Sequence, residues 1–112
     1  VELAHRLDRG TSGALLVARS QKALSLLSSQ FLSRKTEKTY WVLVQGNVPH
    51  ATGRWVDWLR KIPDQAKGEI VDSHEPGAKE AILNFRVLLR PDGFTLLEIQ
   101  LQTGRMHQIR LQ

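Results

Sequence analysis

Two short segments, near opposite ends of the chain, combine residue types that can do chemistry. The first, His5 to Gly13, reads HRLDRGTSG and places Asp8 between Arg6 and Arg9. Flanking positive charges favour the ionised form of a carboxylate, which can act as a nucleophile or as a base. Glycine and serine tolerate tight turns, so Asp8 is expected on a loop. A solvated aspartate on a surface loop is the alternative interpretation.

The second segment, Leu101 to Gln112, reads LQTGRMHQIRLQ. Its apolar spacing predicts a helix that begins near Arg105. Arg105, His107, Gln108 and Arg110 would then crowd the first helical turn. Amides at a helix N-terminus together with two arginines favour an anion site. A basic surface helix with a structural histidine is the alternative.

Several other kinds of site are excluded. The chain has no cysteine, so it has no disulfide, no thiolate zinc site and no cysteine nucleophile. The HRLD sequence differs from a kinase HRD loop, and the residue five positions after Asp8 is Gly13 rather than asparagine. There is no glycine-rich phosphate loop with a lysine, and the four histidines lack metal-ligand spacing. We therefore expect neither a metal nor a cofactor.

Length and charge narrow the class of protein. The 112 residues suit one domain, and 41% hydrophobic with 24% charged residues is typical of a folded globule. The net charge of +5 is uneven: +4 over residues 1–40, −1 over 41–80 and +2 over 81–112. The excess coincides with the two chemical segments and favours an anionic partner, although charge runs often mark only a solvated face. No apolar run could span a membrane, and we expect a cytoplasmic monomer.

The elements around the first segment follow from apolar patterning. The run Ala14–Ala18 predicts a buried strand. Ser20 can cap a helix that ends near Ser33. The residues Thr39–Val44 are rich in β-branched and aromatic types and predict a further strand. The predicted helix has one apolar face, formed by Ala23, Leu24, Leu27 and Phe31.

A hairpin should precede the second segment. Alternate apolar residues over Ala81–Leu89 and Leu97–Leu101 predict two antiparallel strands, joined by a turn at Pro91–Gly93. Proline and glycine interrupt residues 46–79, where we expect only short strands near Trp55–Leu59 and Ile70–Val71. The fold class is therefore α+β, with a mixed, largely antiparallel β-sheet and flanking helices. Both ends of the chain interrupt patterned segments, so we expect residues 1–112 to be a piece of a larger domain, incomplete at both ends.

Four motifs resemble those of the RluA-type pseudouridine synthases. HRLDRGTSG followed by ALLVA resembles their signature, and KTYWVLVQG at Lys38–Gly46 resembles their second motif. GAKEA at Gly77–Ala81 and LQTGRMHQIR at Leu101–Arg110 resemble later motifs. The motifs follow the family's order and span nearly the whole chain, so the ordered set is more specific than any one motif.

The resemblance implies an enzyme that isomerises uridine to pseudouridine in structured RNA, either rRNA or tRNA, after flipping the base. It implies Asp8 as the catalytic aspartate, Tyr40 as the residue that stacks on the uracil, and Arg110 as the partner of the aspartate. By its alternation with Val42 and Val44, Tyr40 could equally be a packing residue of a strand. The resemblance further implies a set of substrate-binding or RNA-binding residues: Arg6, Arg9, Arg105, His107, Gln108 and Leu111.

The resemblance implies a specific role for some residues of this set and leaves the role of others open. Arg6 matches an arginine that helps to extrude the target nucleotide, and Leu111 an aliphatic residue beside the catalytic arginine. The resemblance leaves two roles open for Arg105, His107 and Gln108, either structural or in RNA contact.

The chain also departs from the family pattern. It ends Arg-Leu-Gln where the family usually has Arg-Val-His, and Met106 stands where threonine or serine is common. Two other functions therefore stay open: an RNA-binding module that kept the fold without catalysis, and a basic α+β domain that does not act on RNA.

Overall fold

A computed structural model describes all 112 residues, which form two compact units, Val1–Thr36 and Glu37–Gln112. The first unit contains two short antiparallel strands and one helix: β1 (Glu2–Leu3), β2 (Val17–Ala18) and α1 (Gln21–Leu32). The second contains a five-stranded sheet and a single helical turn: β3 (Lys38–Gln45), β4 (Thr52–Lys61), β5 (Gly68–Val71), β6 (Lys79–Leu89), β7 (Phe94–Leu101) and α2 (Gln108–Leu111).

Helix α1 begins where the sequence predicts. The Ser20 side chain accepts a hydrogen bond from the Ala23 amide at 3.1 Å, which satisfies one of the unpaired amides of the first turn. The predicted apolar face is the less exposed one, although its residues are only half-buried. No helix in the structure is long and apolar enough to cross a membrane.

The prediction of a buried strand at Ala14–Ala18 is wrong in most of its length. Only Val17 and Ala18 form a strand, and only Ala18 is buried. Leu15, Leu16 and Val17 remain 44–45% exposed. The run is apolar, but β1 offers only two residues for pairing, so most of it continues the preceding loop.

The sheet of the second unit confirms the predicted α+β class. Its strand order is β3-β7-β6-β4-β5, and every neighbouring pair is antiparallel. Strands β3 and β5 match the predicted positions, whereas β4 is ten residues long instead of a short strand. Strands β3, β7, β6 and β4 carry the inner face and bury a core of Leu83, Phe85, Leu97 and Ile99.

The hairpin of β6 and β7 also forms as predicted, with one correction. The turn closes through a hydrogen bond from the Phe94 amide to the Pro91 carbonyl at 2.9 Å, and Gly93 has the positive φ of 75° that glycine accepts. The alternating pattern predicts Leu89 on the inner face. A register shift between Val87 and Leu89 turns Leu89 outward, where it is 63% exposed.

The helix predicted to begin near Arg105 begins three residues later. Arg105 instead accepts a hydrogen bond from the Gln108 amide through its carbonyl at 3.1 Å, in a turn that precedes α2. His107 has a left-handed φ of 54°, which interrupts the helical path. Since α2 has only four residues, it cannot provide the expected anion site at a helix N-terminus.

Gly53 tests how tightly the inner face is packed. A Cβ at this position would lie 2.5 Å from Cε1 of Phe85, whose ring is buried and contacts Trp55 at 4.5 Å between centroids. We expect Gly53→Ala to lower the free energy of unfolding by about 1–3 kcal/mol, because the ring must move within a packed core. Urea denaturation of the full-length protein measures the change.

Gly104→Ala is the matched control. A Cβ there would approach only the Lys38 ammonium, at 2.8 Å, and the flexible lysine can move away. Equal destabilisation by the two alanines would contradict the packing argument.

Candidate active site

The loop that carries Asp8 is closed at its base by backbone and side-chain hydrogen bonds. The Ala4 amide donates to the Leu16 carbonyl at 3.1 Å, and the Leu16 amide donates to Nε2 of His5 at 3.0 Å. The His5 ring also packs on Phe31 of α1, with centroids 4.9 Å apart. His5 is therefore an anchor of this loop, a role that the sequence prediction missed although His5 opens the motif.

The three charged residues of the loop lie beyond this closed base. The Thr11 amide donates to the Asp8 carbonyl at 3.0 Å, and Gly10 has the positive φ of 82° that a type II turn requires at its third residue. Arg6, Asp8 and Arg9 are all exposed. The predicted loop position of Asp8 is confirmed, and its carboxylate is presented at the surface of the unit.

Tyr40 lies on the inner face of β3, directly opposite Ile99 of β7. The ring is half-buried against the core, which agrees with the packing role that the sequence left open. The hydroxyl, however, makes no hydrogen bond within the chain. The hydroxyl of a buried structural tyrosine usually makes a hydrogen bond. Tyr40 differs, because its ring packs against the core while its hydroxyl makes no hydrogen bond.

The second motif is held by the buried amide of Gln108, which is 2% exposed. Its Oε1 accepts hydrogen bonds from Oγ1 of Thr103 at 2.7 Å and from the Arg105 amide at 3.0 Å. Its Nε2 donates to the Ile82 carbonyl at 3.1 Å and to Oε1 of Gln112 at 2.9 Å. All four hydrogen-bonding positions of the amide are used, which favours the structural alternative for Gln108.

Gln112 extends this network to β4. Its Nε2 donates to Oδ2 of Asp57 at 2.9 Å and to the Ala81 carbonyl at 3.2 Å. The network thus connects α2 with both β4 and β6. Gln112 is one of the positions where the sequence departs from the family pattern, and in this chain it has a definite structural partner in Asp57.

The remaining residues of the motif surround this network. The side chain of Arg105 is half-buried, and its Nε donates to the Glu80 carbonyl at 2.9 Å. Leu111 packs against β5 so closely that a Cβ on Gly68 would lie 2.8 Å from it. Arg110 is exposed on α2, and His107 is half-buried at the start of the helix.

Each unit therefore assembles part of the predicted site. The first unit presents Arg6, Asp8 and Arg9 on one loop, and the second holds Arg105, Gln108 and Leu111 together around α2. The pairing of Asp8 with Arg110 stays a prediction from the resemblance.

Gln108→Ala tests the network. The substitution removes both donors and the acceptor, and leaves Thr103 and the Ile82 carbonyl without these partners. We expect the free energy of unfolding to fall by about 2–4 kcal/mol, because buried polar groups would be unpaired. Gln100→Ala is the control, since Gln100 is exposed on β7, and it should change stability by no more than about 0.5 kcal/mol. A similar effect of both variants in urea denaturation would refute the assignment.

The chain is similar to curated bacterial proteins along nearly its whole length. It is 37% identical over 110 residues to an uncharacterized RNA pseudouridine synthase of Synechocystis, covering 97% of this chain and 33% of that protein. It is 32% identical over 109 residues to the ribosomal large subunit pseudouridine synthase D of Borreliella burgdorferi, again covering 97% of this chain and 33% of the relative. The chain thus spans about a third of the length of these relatives.

The fold is also similar to that of a solved structure. The human RNA pseudouridylate synthase domain containing 1 superposes with a TM-score of 0.86 at 24% identity, over 98% of this chain and 48% of that one. The sequence profile of the RNA pseudouridylate synthase family matches residues 1–112. With its motifs in order and the profile matched from end to end, the chain belongs to the RNA pseudouridylate synthase family.

Proposed function

We propose that the protein containing this chain isomerises uridine to pseudouridine in RNA, with Asp8 as the catalytic residue. The observation that carries the proposal is the Asp8 loop, closed at its base by His5 and exposing the carboxylate at its tip. Asp8 is exposed on this loop, where a substrate can reach it. Membership of the family supplies the reaction class.

The reaction balances within the substrate. The N1–C1′ bond of uridine breaks, the uracil turns, and C5 forms a bond with C1′. The proton displaced from C5 leaves to solvent, while N1 gains one. No electrons are exchanged with a second molecule, so the reaction needs no redox partner.

An ionised Asp8 could serve in either of two ways. Its carboxylate could attack C1′ and form a covalent intermediate, or it could remove a proton from C2′. Both routes require an oriented carboxylate, and we propose Arg110 as its bidentate partner. The Arg110 side chain is exposed on α2.

Tyr40 and Arg6 would stabilise the flipped-out conformation of the target base. An enzyme that works on a nucleobase must take it out of the stack, and the extruded base needs a flat surface to rest on. The Tyr40 ring, fixed by core packing, would provide that surface, and its hydroxyl could relay the C5 proton by accepting it while passing its own proton to solvent. The exposed Arg6 would fill the space that the base leaves. We assign RNA-contact roles to Arg9 and His107 as well.

The substrate class follows from the relatives. Because one similar protein is a ribosomal large subunit pseudouridine synthase, we propose ribosomal RNA as the first substrate to test, with transfer RNA as the second. We propose that the protein acts as a monomer in the cytoplasm.

Asp8→Asn tests the catalytic assignment. The amide keeps the shape of the side chain but removes its charge, so we expect tritium release from C5-labelled RNA to fall at least about 10³-fold. The full-length protein should be assayed on ribosomal and transfer RNA transcripts, with circular dichroism as a check of folding. Asp92→Asn, in the exposed turn before β7, is the matched control and should keep full activity. Full activity of Asp8→Asn would reject the catalytic proposal and favour an RNA-binding module.

Tyr40→Phe separates the ring from the hydroxyl. Because the hydroxyl has no hydrogen bond within the chain, its loss should change the free energy of unfolding by no more than about 0.5 kcal/mol. If the hydroxyl receives the C5 proton, tritium release should slow by about 10²-fold or more while RNA affinity is kept. Tyr40→Leu, which also removes the flat ring, should in addition weaken RNA binding. Wild-type turnover by Tyr40→Leu would refute the stacking role.

A further inference from the structure

A groove in the second unit is not accounted for by the proposed catalytic residues. It has a volume of about 310 Å³ and lies where the ends of β4, β5 and β6 approach α2. Its apolar lining is provided by Leu59, Met106 and Leu111. Two of these residues flank Arg110 in the motif predicted to act on RNA.

Three cations line the same groove and come from different parts of the chain. Lys61 ends β4, Lys79 begins β6, and Arg105 precedes α2. None of the three has a carboxylate within ion-pair distance. Arg105 is also positioned in advance, because its Nε is bound to the Glu80 carbonyl and its side chain is half-buried. Less conformational freedom is then lost when an anion binds.

Arg60, the fourth cation in the lining, is already neutralised. Its Nε donates to Oε1 of Glu69 at 3.0 Å, and NH1 lies 3.1 Å from Oε2 of Glu75. The hydrogen bond to Glu69 is the main reason why the pKa of the Arg60 guanidinium is raised, and the charges of both carboxylates add to it. These bonds connect β4 to β5 through Glu69 and to the segment after β5 through Glu75. Arg60 therefore forms part of the groove wall, while the other three cations supply positive charge.

Close approach of the backbone shapes the groove. Gly68 lies under Leu111, where a Cβ would be 2.8 Å from the leucine side chain. Gly77 has a positive φ of 79° and lies beside the aliphatic part of Arg60. The result is an open groove with an apolar surface and a cationic rim. These two features are complementary to a nucleotide, whose base has an apolar face and whose phosphate is anionic.

We propose that this groove binds a nucleotide of the RNA substrate outside the target uridine, with Lys61, Lys79 and Arg105 around its phosphodiester and the apolar residues against its base or ribose. The inference rests on the proposed action on RNA. It adds two lysines to the RNA-binding surface: Lys61, which lies outside the four motifs, and Lys79, which lies within the GAKEA motif but was given no role by the sequence analysis.

The test compares a Lys61→Gln/Lys79→Gln double variant with wild type in the full-length protein. Both proteins carry Asp8→Asn, so that binding is measured without turnover. The fluorescence anisotropy of a fluorescein-labelled, uridine-containing RNA hairpin gives the affinity at KCl concentrations between 50 and 300 mM, a range of about sixfold. Each lost phosphate contact should reduce the slope of log affinity against log salt by about 0.7–0.9. We expect the double variant to lose about 1.5 in slope and to bind about tenfold more weakly at 0.1 M salt.

Lys67→Gln is the matched control. Lys67 is an exposed lysine in the connection between β4 and β5 but does not line the groove, so its slope should stay closer to wild type. Equal slopes for wild type and the double variant would overturn the proposal.

The outcome is separable from that of the catalytic proposal. If the protein with Asp8 intact releases no tritium, yet the double variant shows the reduced slope, the groove is supported and catalysis is rejected. If turnover is intact and the slope is unchanged, catalysis stands and the groove is rejected.

Discussion

The buried amide of Gln108 is the constraint on which the arrangement of the second unit's candidate site residues depends. It joins the end of β7 at Thr103, the backbone of Arg105, the Ile82 carbonyl of β6 and the Gln112 side chain. An unpaired buried amide is costly, so the segment has few alternatives to this one path. The positions of Arg105 and Leu111, and with them one wall of the groove, follow from that path.

Patterning in the sequence was sufficient for those strands whose inner faces are mostly apolar. β3, β6 and β7 alternate regularly, and the turn at Gly93 has an obvious chemical cause, so their antiparallel pairing could be predicted. β4 could not, because its inner face includes Gly53 and Asp57, which break the alternation. The outward turn of Leu89 depends on a bulge, and a bulge changes the register without leaving a mark in the hydrophobic pattern.

The sequence predicted which residues belong to the candidate site, but not which of their side chains turn into the protein. Glutamine is mostly exposed in proteins, so nothing in the motif indicates that Gln108 turns inward to reach a carbonyl 26 residues away. Net charge along the sequence likewise does not show which charges the fold pairs with one another. Residues 41–80 have a net charge of −1, yet they supply Lys61 and Lys79, because folding pairs Arg60 with two glutamates and leaves the lysines on the rim.

In both chemical segments, a hydrogen-bonded residue that anchors the backbone lies two or three positions before an exposed charged residue. In the first, His5 is bonded to the backbone of Leu16 while Asp8, three residues on, is exposed. In the second, Gln108 is buried while Arg110, two residues on, is exposed. In both segments a polar anchor fixes the backbone close to an exposed charged side chain. Since α2 is a single turn, its dipole adds little, and the positive field at this end of the unit must come from arginine and lysine side chains.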